Sequence, residues 1–279
     1  MDVSPTAGRA PSRARQRSGA RPDAAASTSG AVDRALAVLC TFSRESPSLG
    51  ITEISARLGL TKSTVHRLLQ TLVARGMVAQ DPAQRSYALG YRVLALAQAV
   101  PGEANLRQIC RPHMQWLRSV TLETIGLHVV AGDVRMCLDE IESPQSLRMA
   151  AGVGRCFPLA TGAASKALLA DGLAQGDLWR RATAALSAGR REWLRKEVEE
   201  LNRRGFATSV GETVAGSASV AAPIHGADGA VIAALSVAGP ASRFDAATAS
   251  QHGAVLLEGV TRITRDLAAA YLLPPASAR

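Results

Sequence analysis

The chain has 279 residues and a formal net charge of +9, with 47% hydrophobic and 20% charged residues, enough material for one large or two modest packed domains. Aromatics make up only 4%, which argues against a base-stacking RNA binder and against an immunoglobulin-like sandwich. The positive excess calls for a polyanionic partner.

Residues 1–30 carry five arginines against two aspartates and no apolar run, so 1–28 is expected to be a disordered basic tail rather than a secretory or organelle leader. Apolar residues Val32, Leu36, Leu39 and Cys40 put one helical face on 31–42, and 46–50 breaks it. A second helix is expected to start at an N-cap Thr52 and to bury Ile54 and Leu58, with Gly59 making a tight turn. Thr61 caps a third helix running to about Ala74, whose core face is Val65, Leu68, Leu69 and Leu72. Its opposite stripe, Ser63, His66, Arg67 and Gln70, is wholly polar and holds no acid. An exposed helix normally mixes charge signs. This one offers guanidinium for guanine, amide for adenine and hydroxyls for bases or phosphates, a face suited to a DNA major groove. Segments 77–79 and 86–89, joined by Asp81-Pro82-Ala83-Gln84, predict a hairpin with Arg85 on its tip side. Helix, helix, turn, helix, hairpin is a winged helix-turn-helix over 29–90. Its expected DNA contacts are Thr61, Lys62, Ser63, Thr64, His66, Arg67, Gln70 and Arg85.

The run "TKSTVHRLLQTL", followed by "RGMV" and "YALG", resembles the DNA-binding domain of the IclR family of bacterial transcription regulators. The resemblance implies sequence-specific binding to double-stranded DNA, with a palindromic operator read by a homodimer or homotetramer.

Beyond residue 90 the balance is nearly ordinary, twenty basic against seventeen acidic groups, so this part has a different task. Helical linker segments are expected at 91–100 and 103–120. The second carries Leu106, Ile109, Cys110, Met114 and Leu117 on one side and Pro112 as a kink or break. Strands are expected at 125–131, 135–141, 147–150, 155–159, 206–210, 219–225 and 230–238. Helices are expected at 161–170, about 176–188, 190–204 and 245–272, with Glu192/Lys196 and Glu200/Arg204 as surface pairs. Strands on both sides of a helical insertion predict an α+β fold around an antiparallel sheet. The expected division is a linker over 91–121, an effector domain over 122–273 and a tail at 274–279.

"GVGRCFPLATGAASKALLA" and "SVAAPIHGADGAVIAALSVAGPASRF" are similar to segments of the same family's C-terminal half. That similarity implies a GAF-like domain binding a small effector, often a carboxylate or aromatic metabolite. It places Gly162 and Ala163 at the pocket loop, where small residues let backbone N–H groups approach a ligand oxygen, and Ser219 and Ser236 on the two C-terminal strands. Ala238 shares a sheet face with Ser236, where some carboxylate-binding relatives have a second hydroxyl. His128 lies opposite Ile125, Leu127 and Val129 and faces either the cavity or a structural partner. Met149 lines an apolar wall or fills the core.

An enzyme is the main rival reading. The sequence holds no GxSxG, HExxH, SxxK or phosphate-loop motif, and the histidines at 66, 113, 128, 225 and 252 lack metal-ligand spacing. Cys156 with His128 as base is a conceivable nucleophile pair, against which Cys156 reads as an ordinary small apolar residue shortly before Pro158. A sequence-independent DNA-binding protein would leave the large near-neutral half without work. Neither catalytic residue, metal nor cofactor is expected. The cysteines at 40, 110, 137 and 156 lie at least 19 positions apart, as in a reducing cytoplasm, and the longest apolar runs fall far short of the roughly 20 residues a membrane span needs.

Overall fold

The computed structural model describes residues 30–43, 46–99, 103–172 and 176–272. The predicted basic tail at 1–28, the Pro101-Gly102 break and the tail at 274–279 lie outside them. The chain divides into two compact units, one ending at Leu94 and the other beginning at Ala95.

The first unit runs α1 (Gly30–Leu39), β1 (Ser48–Gly50), α2 (Ile51–Leu58), α3 (Lys62–Ala74), β2 (Val78–Asp81) and β3 (Ser86–Leu89). Val38, Ile54, Val65, Leu69 and Leu72 converge from the three helices on Leu49, Val78 and Tyr87. The segment expected only to break the chain supplies β1. Leu49 is buried opposite Tyr87, and that pairing adds a third strand to the hairpin in the order β1-β3-β2. Helix α2 is capped by Gly50 rather than Thr52, because Glu53 reaches back and accepts the Gly50 N–H at 2.8 Å. Gly59 takes φ 64°, as the tight turn requires, and Thr61 Oγ1 accepts the Thr64 N–H at 3.3 Å. At the hairpin tip Asp81 accepts the N–H groups of Ala83 and Gln84. Gly90 packs directly on the backbone of Gly76. A Cβ there would overlap the Gly76 carbonyl oxygen, and the Gly90 N–H donates to the Met77 carbonyl at 2.8 Å.

Helix α4 (Arg92–Gln98) spans the boundary between the units. The second unit continues with α5 (Glu103–Thr121), β4 (Thr124–Ala131), β5 (Val134–Ile141), β6 (Cys156–Pro158), α6 (Ala163–Leu168), α7 (Asp177–Thr183), α8 (Ala188–Arg204), β7 (Ala207–Val210), β8 (Ser217–His225), β9 (Val231–Pro240) and α9 (Ala246–Leu272). Its antiparallel sheet has the order β6-β5-β4-β9-β8-β7. Alternation sorts the faces. Ile125, Leu127 and Val129 join Val220, Leu235 and Val237 under α5 and α9, while Ala221 and Ala234 meet α6 on the other side.

Three expectations are corrected here. Helix α5 runs unbroken through Pro112, because Leu106, Cys110, Met114 and Leu117 are buried on both sides of it and outweigh one lost backbone hydrogen bond. Segment 147–150 is not a strand, since the outer edge of β5 is already taken by β6 and by backbone bonds from Cys137 to Gly154 and Arg155. It runs instead as a loop, with the Leu147 carbonyl held by Arg243 at 3.0 Å. The Glu200/Arg204 pair does not form, because Glu200 pairs with Arg203 and Arg204 turns to the Phe206 carbonyl; Glu192 and Lys196 do approach, at 3.9 Å.

Gly90→Ala tests the backbone contact with Gly76. It is expected to lower unfolding stability by about 1–3 kcal/mol, the cost of overpacking. Gly189→Ala, at a helical position with open space around it, is expected to be neutral or stabilising. Urea melts of the two variants read the difference.

Candidate functional site

Two sites are built, one in each unit. In the first, the α3 core residues Val65 and Leu69 anchor the helix so that Ser63, His66, Arg67 and Gln70 face solvent together. Thr61 Oγ1 contacts the Ser63 and Thr64 hydroxyls at 3.0 and 2.9 Å, and Gln70 lies 3.3 Å from His66 across one helical turn. Lys62 stands exposed at the start of the helix, and Arg85 is exposed at the hairpin tip with φ 51°.

In the second unit a cavity of about 350 Å³ lies between the sheet and α6. All seven residues expected at a pocket line it: His128, Met149, Gly162, Ala163, Ser219, Ser236 and Ala238. Its chemical centre is one residue the sequence reading missed. Arg135 is 5% exposed and makes no ion pair among the described residues. Its guanidinium donates to Ser165 Oγ at 3.0 Å and to His128 Nδ1 at 3.1 Å, and sits 4.5 Å from the Phe157 ring centroid. Burial pulls its pKa down to about 10, so it stays charged at neutral pH. Because Nδ1 of His128 accepts from Arg135, Nε2 carries the proton and donates to Ser236 Oγ at 3.0 Å, which in turn donates to the Gly126 carbonyl at 3.3 Å. Burial first, and the Arg135 charge second, hold His128 well below the ordinary histidine range and keep it neutral.

A second buried cation shapes the other wall. Lys166, 1% exposed, bonds Glu197 and Glu212 at 2.7 Å and the Thr208 carbonyl at 2.8 Å. Glu212 then accepts the Gly162 N–H at 3.2 Å. In this structure the Gly162 amide is thus held by the protein. Gly162 has φ 87°, and a Cβ there would lie 2.5 Å from Thr213 Oγ1, so glycine is required for the loop to close on the β7–β8 connection that carries Thr213.

Sequence reading also missed Glu140, Arg155 and Thr213, all of which line the cavity. For Arg135 the available signal was a charged residue in a strand whose neighbours are mostly apolar; Arg155 and Thr213 lie outside the strands and gave none. The Cys156–His128 pair has no chemistry here, because both His128 ring nitrogens are engaged and Cys156 Sγ points to the Gly154 carbonyl. Among the described residues no cluster of three His, Cys, Asp or Glu could hold a metal ion, and no helix is long and apolar enough to cross a membrane.

Residues 98–265 match the family model described as bacterial transcriptional regulator IclR C-terminal, and residues 31–82 match the IclR helix-turn-helix domain. The chain belongs to the IclR family. It is a transcriptional regulator with an N-terminal DNA-binding domain and a C-terminal effector-binding domain. Among its IclR relatives, the transcriptional regulator XynR of Escherichia coli K12 is 30% identical over 243 residues, covering 85% of this chain and 96% of XynR. A crystal structure of an IclR transcriptional regulator from Silicibacter sp. TM1040 aligns with TM-score 0.67 and 28% identity over 85% of this chain and 96% of that one. An IclR homologue from Microbacterium hydrocarbonoxydans, solved with 4-hydroxybenzoate, shares the fold at TM-score 0.72 and 24% identity, over 86% of this chain and all of the other.

The depressed pKa of His128 has a stability consequence. Above its ordinary value of 6.5 the histidine is neutral in both states and costs nothing. Below 6.5 the unfolded chain takes up a proton that the folded chain refuses, so stability falls with pH. In His128→Gln the loss of melting temperature between pH 7.5 and pH 5 is expected to be smaller than in the parent, with His252 contributing equally to both. Thermal melts across that range check it.

Proposed function

We propose that this regulator works in the cytoplasm as a dimer or a tetramer on a palindromic operator, and that its effector is a small organic acid bound in the sheet–α6 cavity. The DNA contacts are assigned to Thr61, Lys62, Ser63, Thr64, His66, Arg67, Gln70 and Arg85, with Arg67 and Gln70 reading base edges and the rest positioning on phosphates. Two-fold symmetry then sets half-sites about one helical turn, or a multiple, apart. Exposed apolar residues support self-association: Val32 and Leu36, one turn apart on α1, are both more than half exposed, as are Leu94 and Leu96 on α4.

The observation that carries the effector reading is the Arg135 guanidinium, buried beside the cavity with only neutral hydrogen-bond partners. A buried charge is costly unless paired, and a ligand carboxylate supplies the missing partner. Ser219, Ser236 and Thr213 offer hydroxyls to its polar groups, and Met149, Phe157 and Ala238 an apolar wall. The effector shifts operator affinity only by as much as it prefers one arrangement of the protein.

Fluorescence anisotropy with the upstream intergenic DNA, against a scrambled duplex, tests the DNA face. Arg67→Ala is expected to lose about 10- to 100-fold of affinity for the operator, the worth of one base-reading arginine, with a smaller loss on the scrambled duplex. A screen of organic acids for thermal stabilisation tests the cavity. Arg135→Gln should abolish the response to any acid that stabilises the parent while leaving operator affinity without effector intact. An undiminished response in Arg135→Gln would refute the assignment.

A further inference from the structure

The strand that presents Arg135 to the cavity also grips α5, the helix that follows α4 out of the DNA-binding unit. The register between β4 and β5 skips Leu138, pairing His128 with Cys137 but Leu127 with Asp139 and Gly126 with Glu140. This bulge puts Arg135 and Glu140 on the cavity side despite their odd separation, and Asp139 on the side of α5. Asp139 is 1% exposed. It binds Arg111 through both carboxylate oxygens, at 2.9 and 2.6 Å, and lies 3.3 Å from Arg107, both on α5. Its Oδ1 also accepts the Glu140 N–H at 2.9 Å. The Glu140 carboxylate in turn accepts the N–H groups of Ala151 and Gly152 at 2.6 and 3.0 Å, in the loop that brings Met149, Ala150 and Ala151 to the cavity mouth.

We infer that the adjacent residues Asp139 and Glu140 link the cavity mouth to helix α5: Glu140 senses the 149–152 loop, and Asp139 is a positioning residue that passes its displacement to Arg111 and Arg107. The inference rests on reading the cavity as the effector site, since a ligand there acts on the loop that Glu140 holds. The path is continuous and short, and each link is a charge-assisted hydrogen bond or a single peptide unit. A desolvated carboxylate held by two arginines resists relaxing independently of them, so a shift of the β5 backbone at Glu140 is transmitted rather than absorbed. A second tie, from Arg118 Nε to the Glu142 carbonyl at 3.3 Å, keeps the C-terminal part of α5 on the same strand end.

The test needs no effector. Backbone hydrogen exchange of the full ligand-free chain is followed by mass spectrometry in the parent, Glu140→Gln, Asp139→Asn and the double variant. Glu140→Gln is expected to speed exchange in residues 146–153 and also, about tenfold, in residues 106–118 of α5, the scale of one lost charge-assisted hydrogen bond. Asp139→Asn is expected to loosen both segments reciprocally, and the double variant to add nothing in α5 beyond Asp139→Asn alone. If Glu140→Gln affects only residues 146–153, the link is refuted. Should Asp139→Asn not fold, Arg111→Gln replaces it, since that side chain is half exposed. Unchanged exchange of residues 146–153 in Arg111→Gln would overturn the inference equally. Failure here leaves the organic-acid reading of Arg135 to be decided by its own titration, so the two are separable.

Discussion

A guanidinium removed from water and given only neutral partners is the constraint around which the effector domain is arranged. Arg135 fixes the tautomer of His128, and His128 thereby fixes the direction of the Ser236 hydroxyl. On its other side it ties β5 to α6 through Ser165, whose hydroxyl also reaches the Pro158 carbonyl. One charged group thus orients polar atoms on two strands and one helix, and keeps the cavity preorganised. No carboxylate of the protein neutralises it among the described residues, so part of the folding free energy is held at this point in a form that an anion can recover.

The two units use arginine under opposite conditions. Arg67 and Arg85 stand in solvent, where the attraction of their charge for any anion is screened by salt. Arg135 is 5% exposed, so its charge is screened by salt far less. Salt therefore acts unequally on the two kinds of charge, although one chain carries both. The acid-free stripe on α3 and the buried cation on β5 are the same side chain placed by two different periodicities, 3.6 on the helix and 2 on the strand.

Much of this architecture was legible in the sequence because local rules and tertiary packing agree there. The α3 helix declares itself through Val65, Leu69 and Leu72, and its polar stripe follows from the same period. Alternation could put Ser236 and Ala238 on one strand face and His128 opposite Ile125, Leu127 and Val129, while Ser219 came from resemblance to the family. What escaped was whatever depends on partners distant in sequence. Nothing local marks Leu49 as a strand residue, because its partner Tyr87 lies across the whole helix-turn-helix. The loop character of 147–150 is decided by competition for the edge of β5. Nothing local marks Arg135 and Lys166 as buried, since each owes its burial to the packing of α6 and the sheet. The bulge at Leu138 changes the parity of β5, which no reading at strict period 2 could recover.

The contact between Gly90 and Gly76 has a consequence for how DNA is read. With no side chain between them, the end of the hairpin and the turn that closes α3 are seated backbone on backbone, and the Gly90 N–H bond to Met77 pins the arrangement. Helix and wing are then two jaws of a caliper with a fixed gap. A rigid gauge of this kind does not adapt to its object, so groove width and bend must be supplied by the operator. A helix and wing held at a fixed spacing would favour sequences whose base steps reach the matching shape cheaply, even at positions that no side chain touches.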